Sequence, residues 1–594
     1  MIAADLTNGG GSALASWQPV LTLLSIFAVA TVALLAYGRS DDPSLLFRVL
    51  RRIPNGLERL TGVPGWAAST IGMSLFGLLV AGQGFYDDVS WHVALGRDDE
   101  LFTAPHTAII LGLGLIAGAA TFGIIFATLD KIDTALRWGA LRVPWSAALL
   151  GVLGLSAVAG FPLDDVWHRF YGVDVTMWSP PHMLMICGAA LTGAASWLVL
   201  MEAGVPVTGR KWFRALHVIA AWFTFQGLIA PLGEFAFGVP QFNQVFHPLL
   251  LCLAAGVAIV GMRLVLGPWW ALGITAFTFA LDVTSLQSGS LPAPAKAVGL
   301  YVGSALVVEL VALVLGTDRR LRFAVISGLG IGTVGLAGEW AFNSTAYQPW
   351  EAALAPEALL LGIPMAVAAS ILGITLAGSR PSRPVLLGAT AVVLLTLAWP
   401  MPRSVGEASA ALDIEPVGND EVRVTATVTP ADAADDARWF QVSSWQGESL
   451  FLSDMEEVSP GRWVSQDPVP VGGHHKSILR LHRGHQMMAV PVFLPADPEI
   501  DAAEIPAEDR EMAFASEADY LLRETEDNDA WLALAVHGLL AVVTLLWLAG
   551  FGIVTAKIAT QRARSGTRRL DLVGEESADE RAPERLIAAS SVPR

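Results

Sequence analysis

The sequence predicts an all-α polytopic membrane bundle of about thirteen transmembrane helices, joined to one extracytoplasmic β-sandwich-like domain. Three observations lead there. Of 594 residues, 53% are hydrophobic and only 15% charged, which is too apolar for a water-soluble chain of this length. Apolar runs of about 18 to 25 residues, long enough to cross a bilayer, recur throughout residues 1–400. Between 401 and 495 the pattern changes to short alternating runs such as EVRVTATVTP, RWFQVSSW and KSILRLHRG, separated by Gly, Pro and Asp.

Taken in order, the spans fall near 17–37, 65–86, 104–128, 144–162, 181–202, 214–236, 247–267, 269–287, 296–316, 321–342, 356–378, 383–400 and 531–556. No Lys or Arg precedes Arg39. The first span therefore lacks the charged start of a cleavable signal peptide and is expected to be a retained helix. Residues 1–400 form the membrane domain of about twelve helices, 401–495 the β domain, 496–530 an acidic linker, 531–556 the last span and 557–594 a polar, disordered cytoplasmic tail.

Basic clusters assign the sides. Arg48, Arg51, Arg52 and Arg59 lie between spans one and two, and Lys131, Arg137 and Arg142 between three and four. Arg210, Lys211 and Arg214 lie between five and six, and Lys557 and Arg562 follow the last span. All fall on one face, which the positive-inside rule makes cytoplasmic. The N-terminus and β domain are then expected outside an integral cell membrane protein.

Charge excludes a further class. Residues 401–530 contain 26 acidic and 9 basic residues, a difference equal to the whole chain's net charge of −17. Nucleic acid is not an expected partner of such a surface; the lipid bilayer is. Cys187 and Cys252, both inside apolar runs, give no disulfide framework.

Against this apolar background one polar pattern occurs twice. DDVSWHVALGRDDELFTAPHTAIILG contains Asp88, His92 and His106, and DDVWHRFYGVDVTMWSPPHMLMICG contains Asp164, His168 and His182. In each, a carboxylate precedes one histidine by four residues and a second histidine follows fourteen later. Four residues apart on a helix share a face. A proline just before the second histidine suits the first turn of a new helix. Ionisable groups at membrane depth are expensive. Two readings follow. Either two imidazoles and one carboxylate form a shell for Cu(II), Fe(II) or Zn(II) with an open position, or the groups simply cap and tie helix ends together.

Weaker candidates share parts of the pattern. Glu234, Asn243 and His247 surround the end of the sixth span, and the Gly-Glu-aromatic-Ala-Phe string around Glu234 recurs at Glu339. Glu234 and Glu339 read either as proton-relay groups or as caps. In the β domain, His474, His475, His482, His485, Met487 and Met488 cluster in sequence. They suggest either a copper-delivery surface or a basic hairpin with core methionines.

The string Asp88-x-x-Trp91-His92, then Gly96-Arg97-Asp98-Asp99 and Phe102-Thr103-Ala104-Pro105-His106, resembles the copper-site region of the C subunit of particulate methane and ammonia monooxygenases. That region has Asp-x3-His followed by an Arg-Asp…Phe-Thr-Pro-x-His stretch. The family's second site carries Asn where this chain has Asp164, and the resemblance covers about 100 residues. It implies copper at Asp88, His92 and His106, with the second triad similar, and a membrane monooxygenase or subunit served by other membrane subunits or a redox partner. A copper-handling transporter or chaperone, and a structural or assembly protein, are the alternatives.

Overall fold

The computed structural model describes residues 51–579 apart from 96–101, 134, 140, 172–175, 237–238, 285–298, 345–348, 402–405, 448, 499–500 and 522–529, with isolated positions before residue 51. Part of the expected first span, with Asp98, Asp99 and Asp174, lies outside the described residues; the span's described positions, 28–33 among them, are helical. Residues 580 onward also lie outside; the helix of the last span runs through to Asp579.

Among the described residues nine helices are long and apolar enough to cross a bilayer: Gly65–His92, Ala104–Leu129, Trp145–His168, Pro180–Glu202, Lys211–Ala236, Phe246–Leu266, Arg320–Asn343, Ala352–Leu376 and Trp531–Gln561. The chain is an integral membrane protein. Three further expected spans form shorter apolar helices, Trp270–Asp282, Val302–Leu315 and Arg383–Ala398. Among the described residues the count of thirteen is therefore not confirmed. Hydropathy cannot distinguish a short helix within the bundle from one that crosses the bilayer.

The first four helices place the repeated motif. We call them α1 (Gly65–Leu95), α2 (Ala104–Leu129), α3 (Trp145–Tyr171) and α4 (Pro180–Ala190). α1 and α3 continue past the expected ends at 86 and 162, so each Asp and first His lies on the helix itself. Pro105 and Pro181 occupy first-turn positions of α2 and α4, as their missing N–H favours.

Buried glutamates tie helix starts together. Glu202 accepts the Trp145 and Ser146 amides at 2.9 and 2.8 Å. Glu309 accepts the Trp269 amide at 2.7 Å and the Arg263 Nε–H at 2.7 Å. Glu339 accepts the Leu300 and Tyr301 amides at 2.9 and 2.5 Å. An anion at the orphan N–H groups of a helix start meets both their hydrogen-bonding need and the local dipole. For Glu339, the cap reading is the one the structure supports.

The β domain is a continuous antiparallel sheet of ten strands that curls upon itself like a barrel, where two separate layers were expected. The strands are β1 (Ser409–Gly418), β2 (Glu421–Thr429), β3 (Ala437–Trp445), β4 (Phe451–Ser459), β5 (Arg462–Ser465), β6 (Val469–Pro470), β7 (Lys476–Arg483), β8 (Gln486–Phe493), β9 (Arg510–Ala513) and β10 (Ala515–Ser516). Their order is β9-β1-β2-β5-β4-β3-β7-β8-β10, with β6 on β2. Strand β4 joins the halves, pairing with β3 along one stretch and β5 along another. β2 alternates as expected, with Val422, Val424, Ala426 and Val428 inward. The expected linker 496–530 is largely part of this domain: β9 pairs with β1, and β10 with β8.

β3 and β7 are buried on both faces because the membrane domain covers one of them. Val239 packs with Trp445, Ile478, Ala489, Leu494 and Leu521. Arg480 donates to the Pro240 carbonyl and pairs with Glu517 at 2.9 Å. Arg438 donates to Asn243 and pairs with Glu357. A fully buried arginine is tolerated only when its charge is paired, as Arg480 is by Glu517 through Nε and Nη2.

Beside Arg480, His482 Nε2 lies 2.6 Å from Glu517 Oε2 and the ring packs on Trp439. Burial pushes His482 down to about 4 despite the adjacent carboxylate, and Arg480 and Arg438 reinforce the shift. Burial alone would raise Glu517, but Arg480 and His482 bring it down to about 2. The unfolded histidine takes its proton near 6.5 and the folded one near 4. Stability present above pH 6.5 is thus lost as pH falls toward 4, and Glu517 adds a further loss below its ordinary 4.5. The melting temperature of the solubilised protein's β domain should fall across the first window. His482→Gln, which keeps a donor for Glu517 without a titrating ring, should flatten it; an equally steep fall in that variant would refute the assignment.

Candidate metal centre

Each triad is assembled by two helices meeting at the same end of the bundle. On α1, Asp88 and His92 stand one turn apart, and α2 brings His106 to them. Asp88 Oδ1 lies 3.6 Å from His92 Nε2 and 3.1 Å from His106 Nε2. On α3, Asp164 and His168 repeat the arrangement, and α4 supplies His182. Asp164 Oδ1 lies 3.6 Å from His168 Nε2 and 3.2 Å from His182 Nε2. In each set one ligand atom per residue lies within 4.8 Å of the other two. Donors bound to one ion at about 2.1 Å, with angles of 90–110°, sit roughly 3.0–3.4 Å apart. The 3.1 and 3.2 Å spacings fall within that range, and the two of 3.6 Å lie just above it.

The chemistry of the second triad is better defined. His182 Nδ1 lies 2.9 Å from the Thr176 carbonyl, which can only accept. Nδ1 therefore carries the proton, and the Nε2 of the neutral ring presents a lone pair. On the neutral ring that lone pair faces Asp164 Oδ1 at 3.2 Å, whereas an imidazolium would donate its Nε2–H to the same oxygen. Asp164 Oδ1 and His168 Nε2 are buried without a hydrogen-bond partner, as is Asp88 Oδ1 in the first triad. Buried acceptors facing one another repel unless a cation or proton sits between them. A ligating histidine typically donates its other ring N–H to such a carbonyl.

The two centres are neighbours. The His106 ring packs edge-on against Phe161 at 5.8 Å, and Phe161 lies one turn before Asp164 on α3.

What sequence reasoning missed is the backbone approach that brings the second histidine to the first pair. A Cβ on Gly84 would lie 2.8 Å from the Pro105 carbonyl, and one on Gly160 would lie 2.9 Å from that of Pro181. Gly112 meets Gly77 and Ala81 in the same way, and Gly188 meets Leu153 and Ala157. Each pair of positions is separated by the 76 residues that separate Asp88 from Asp164. The repeat is therefore a helical hairpin with small residues at matched places, a familiar device for close helix contact in membranes. Extending the motif alignment outward would have found Gly84 and Gly160, four residues before each aspartate.

The weaker candidates are placed elsewhere. Glu234 accepts the Thr176 hydroxyl, the Met177 amide and the Gln241 amide at 3.0, 2.8 and 2.7 Å. Asn243 donates to the Gly484 carbonyl at the β-domain interface. His247 is buried, stacks on Phe235 and accepts the Trp350 indole N–H at 3.1 Å. His474 is exposed and His475 lies beside Ser444. His482 pairs with Glu517, whereas His485 faces Glu357 at 3.6 Å. Met487 lies opposite His482 in the ladder, and Met488 is a core residue. The ladder thus pairs Met487 with His482, while Met488 turns into the core and His474, His475 and His485 lie elsewhere, so the cluster is not gathered as a whole. Among the described residues, the two triads are the groups of three that could hold a metal.

No family model matches this chain, and no solved structure does. Two curated proteins of Arabidopsis thaliana are similar. K(+) efflux antiporter 2, chloroplastic, is 26% identical over 311 residues, and K(+) efflux antiporter 1, chloroplastic, is 25% identical over 311. Each match covers 48% of this chain and 24% of the relative, so the chain spans about a quarter of the length of these relatives.

The glycine contacts give a direct test of the geometry. Gly160→Val should displace α4 from α3, cost about 1–3 kcal/mol and abolish metal retention by the second triad, leaving the first intact. Metal content of the purified variant measures this; undiminished content would show that the close approach is not needed.

Proposed function

We propose that this integral membrane protein captures and handles a divalent transition metal at two carboxylate–bis-imidazole sites, at the bundle end where the β domain docks. The observation that carries this reading is the second triad, where the Thr176 carbonyl accepts from His182 Nδ1 and turns Nε2 toward Asp164 Oδ1 at 3.2 Å, with His168 Nε2 on the same carboxylate oxygen. Copper is the first candidate, and iron or zinc fit the same donors. A bound ion would supply Lewis acidity and an open coordination position for water or a ligand. The protein's own contribution is to hold the imidazoles in one tautomer, keep the carboxylate ionised beside them and bury the donors at a helix junction.

The likeness to K(+) efflux antiporters supports cation handling over substrate oxidation. A second reading, a membrane monooxygenase or subunit, rests on the motif resemblance around Asp88, His92 and His106. That reading needs a redox partner to supply electrons.

Purified full-length protein in nanodiscs should retain about two metal ions per chain, one for each three-ligand site. His92→Ala with His106→Ala should remove about one, and His168→Ala with His182→Ala the other. Copper flux into proteoliposomes that disappears in these variants supports handling. Oxidation of a small apolar substrate without flux favours the second reading, and a metal-free wild type rejects both.

A further inference from the structure

Glu234 is buried, only 2% exposed, and lies on neither triad. Its carboxylate joins two loops at the same end of the bundle. One oxygen accepts the Thr176 hydroxyl at 3.0 Å and the Met177 amide at 2.8 Å, and the other accepts the Gln241 amide at 2.7 Å. Thr176 is the residue whose carbonyl holds His182 Nδ1 at 2.9 Å. The turn is braced further: the Trp178 amide donates to the Thr176 hydroxyl oxygen at 3.0 Å, and the Trp178 indole donates to the Pro231 carbonyl at 2.9 Å. The position of the Thr176 carbonyl, and hence the direction of His182 Nε2, depends on a carboxylate 58 residues away in sequence.

We infer that Glu234 is a positioning residue for the metal at Asp164, His168 and His182, fixing His182 through Thr176. The inference rests on the metal reading above and concerns only the second triad. Without Glu234, two donors in a buried turn lose their acceptor, the turn can rearrange, and the carbonyl need no longer orient the imidazole. Outer partners of this kind typically change metal affinity by about 10- to 100-fold. Gln241 belongs to the loop whose neighbour Pro240 receives Arg480 from the β domain. The carboxylate therefore also ties this centre to the docked surface.

The test uses the full chain in nanodiscs with His92→Ala and His106→Ala installed, so that Cu(II) and Zn(II) report on the second triad alone. Glu234→Ala should weaken both ions by about 10- to 100-fold in chelator competition and alter the Cu(II) EPR parameters. Glu234→Gln keeps one oxygen acceptor for Thr176 and Met177 and should restore most of the affinity. Glu202→Ala removes an equally buried glutamate that caps the start of α3. It should lower stability while leaving affinity and spectrum unchanged. Should Glu234→Ala fail to fold, Thr176→Val removes the hydroxyl that joins Glu234 and the Trp178 amide, leaves the Met177 link in place and should weaken binding several-fold. Unchanged affinity and spectrum in Glu234→Ala, or in Thr176→Val where it is the variant used, overturn the inference even if the parent binds metal. A parent that binds neither ion, when wild type also binds none, overturns the metal reading itself.

Discussion

The candidate site depends on how closely two helices can approach. A histidine opening α2 reaches an aspartate near the end of α1 because Gly84 leaves room for the Pro105 carbonyl. Gly160 does the same for Pro181 between α3 and α4. Within a bilayer, the apolar environment offers little drive for helices to associate, so packing and hydrogen bonds must do it. Small residues permit contact, contact brings polar groups within reach, and the reach creates a centre whose charges have somewhere to go. A larger side chain at any of these positions separates the helices before the imidazoles can converge.

Buried carboxylates of the bundle divide into two kinds, and the division separates architecture from chemistry. Glu202, Glu309 and Glu339 accept backbone amides at the starts of other helices, which satisfies them completely and leaves nothing for a ligand. Asp88 and Asp164 instead face imidazole nitrogens, and each has a buried oxygen outside any hydrogen bond. The shorter aspartate side chain keeps its carboxylate near its own helix, one turn from a histidine. The longer glutamate reaches across to another segment. Glu234 belongs to the capping kind, yet its turn is the one that orients His182.

The β domain is bound to the membrane bundle by charge as well as by apolar packing. Arg438 and Arg480, both buried, find partners in Glu357, Asn243, Pro240 and Glu517. Two of these partners lie on the loop that follows Glu234. The same loop thus faces the β domain on one side and the second triad on the other. His482 and Met487, which share a sequence cluster, are consumed in the paired lattice of this interface and its ladder.

The sequence by itself determined the membrane character, the ends of most spans, the β-rich insert and the two triads. Hydropathy, period-two alternation and a repeated spacing are local signals, and each survives in a single chain read left to right. Proline before His106 and His182 correctly marked the starts of α2 and α4 for the same reason. Only the tertiary structure decided which polar residues meet. It drew strands from the acidic stretch after 496 into the sheet, because strand partners come from distant sequence. It set Glu234 against Thr176, and it left the β-domain cluster divided, with Met487 across from His482 but Met488 in the core and His485 facing Glu357. It also gave the glycines beneath each triad their meaning, since the repeat spacing marks Gly84 and Gly160 but only the packed backbone shows the close approach they permit.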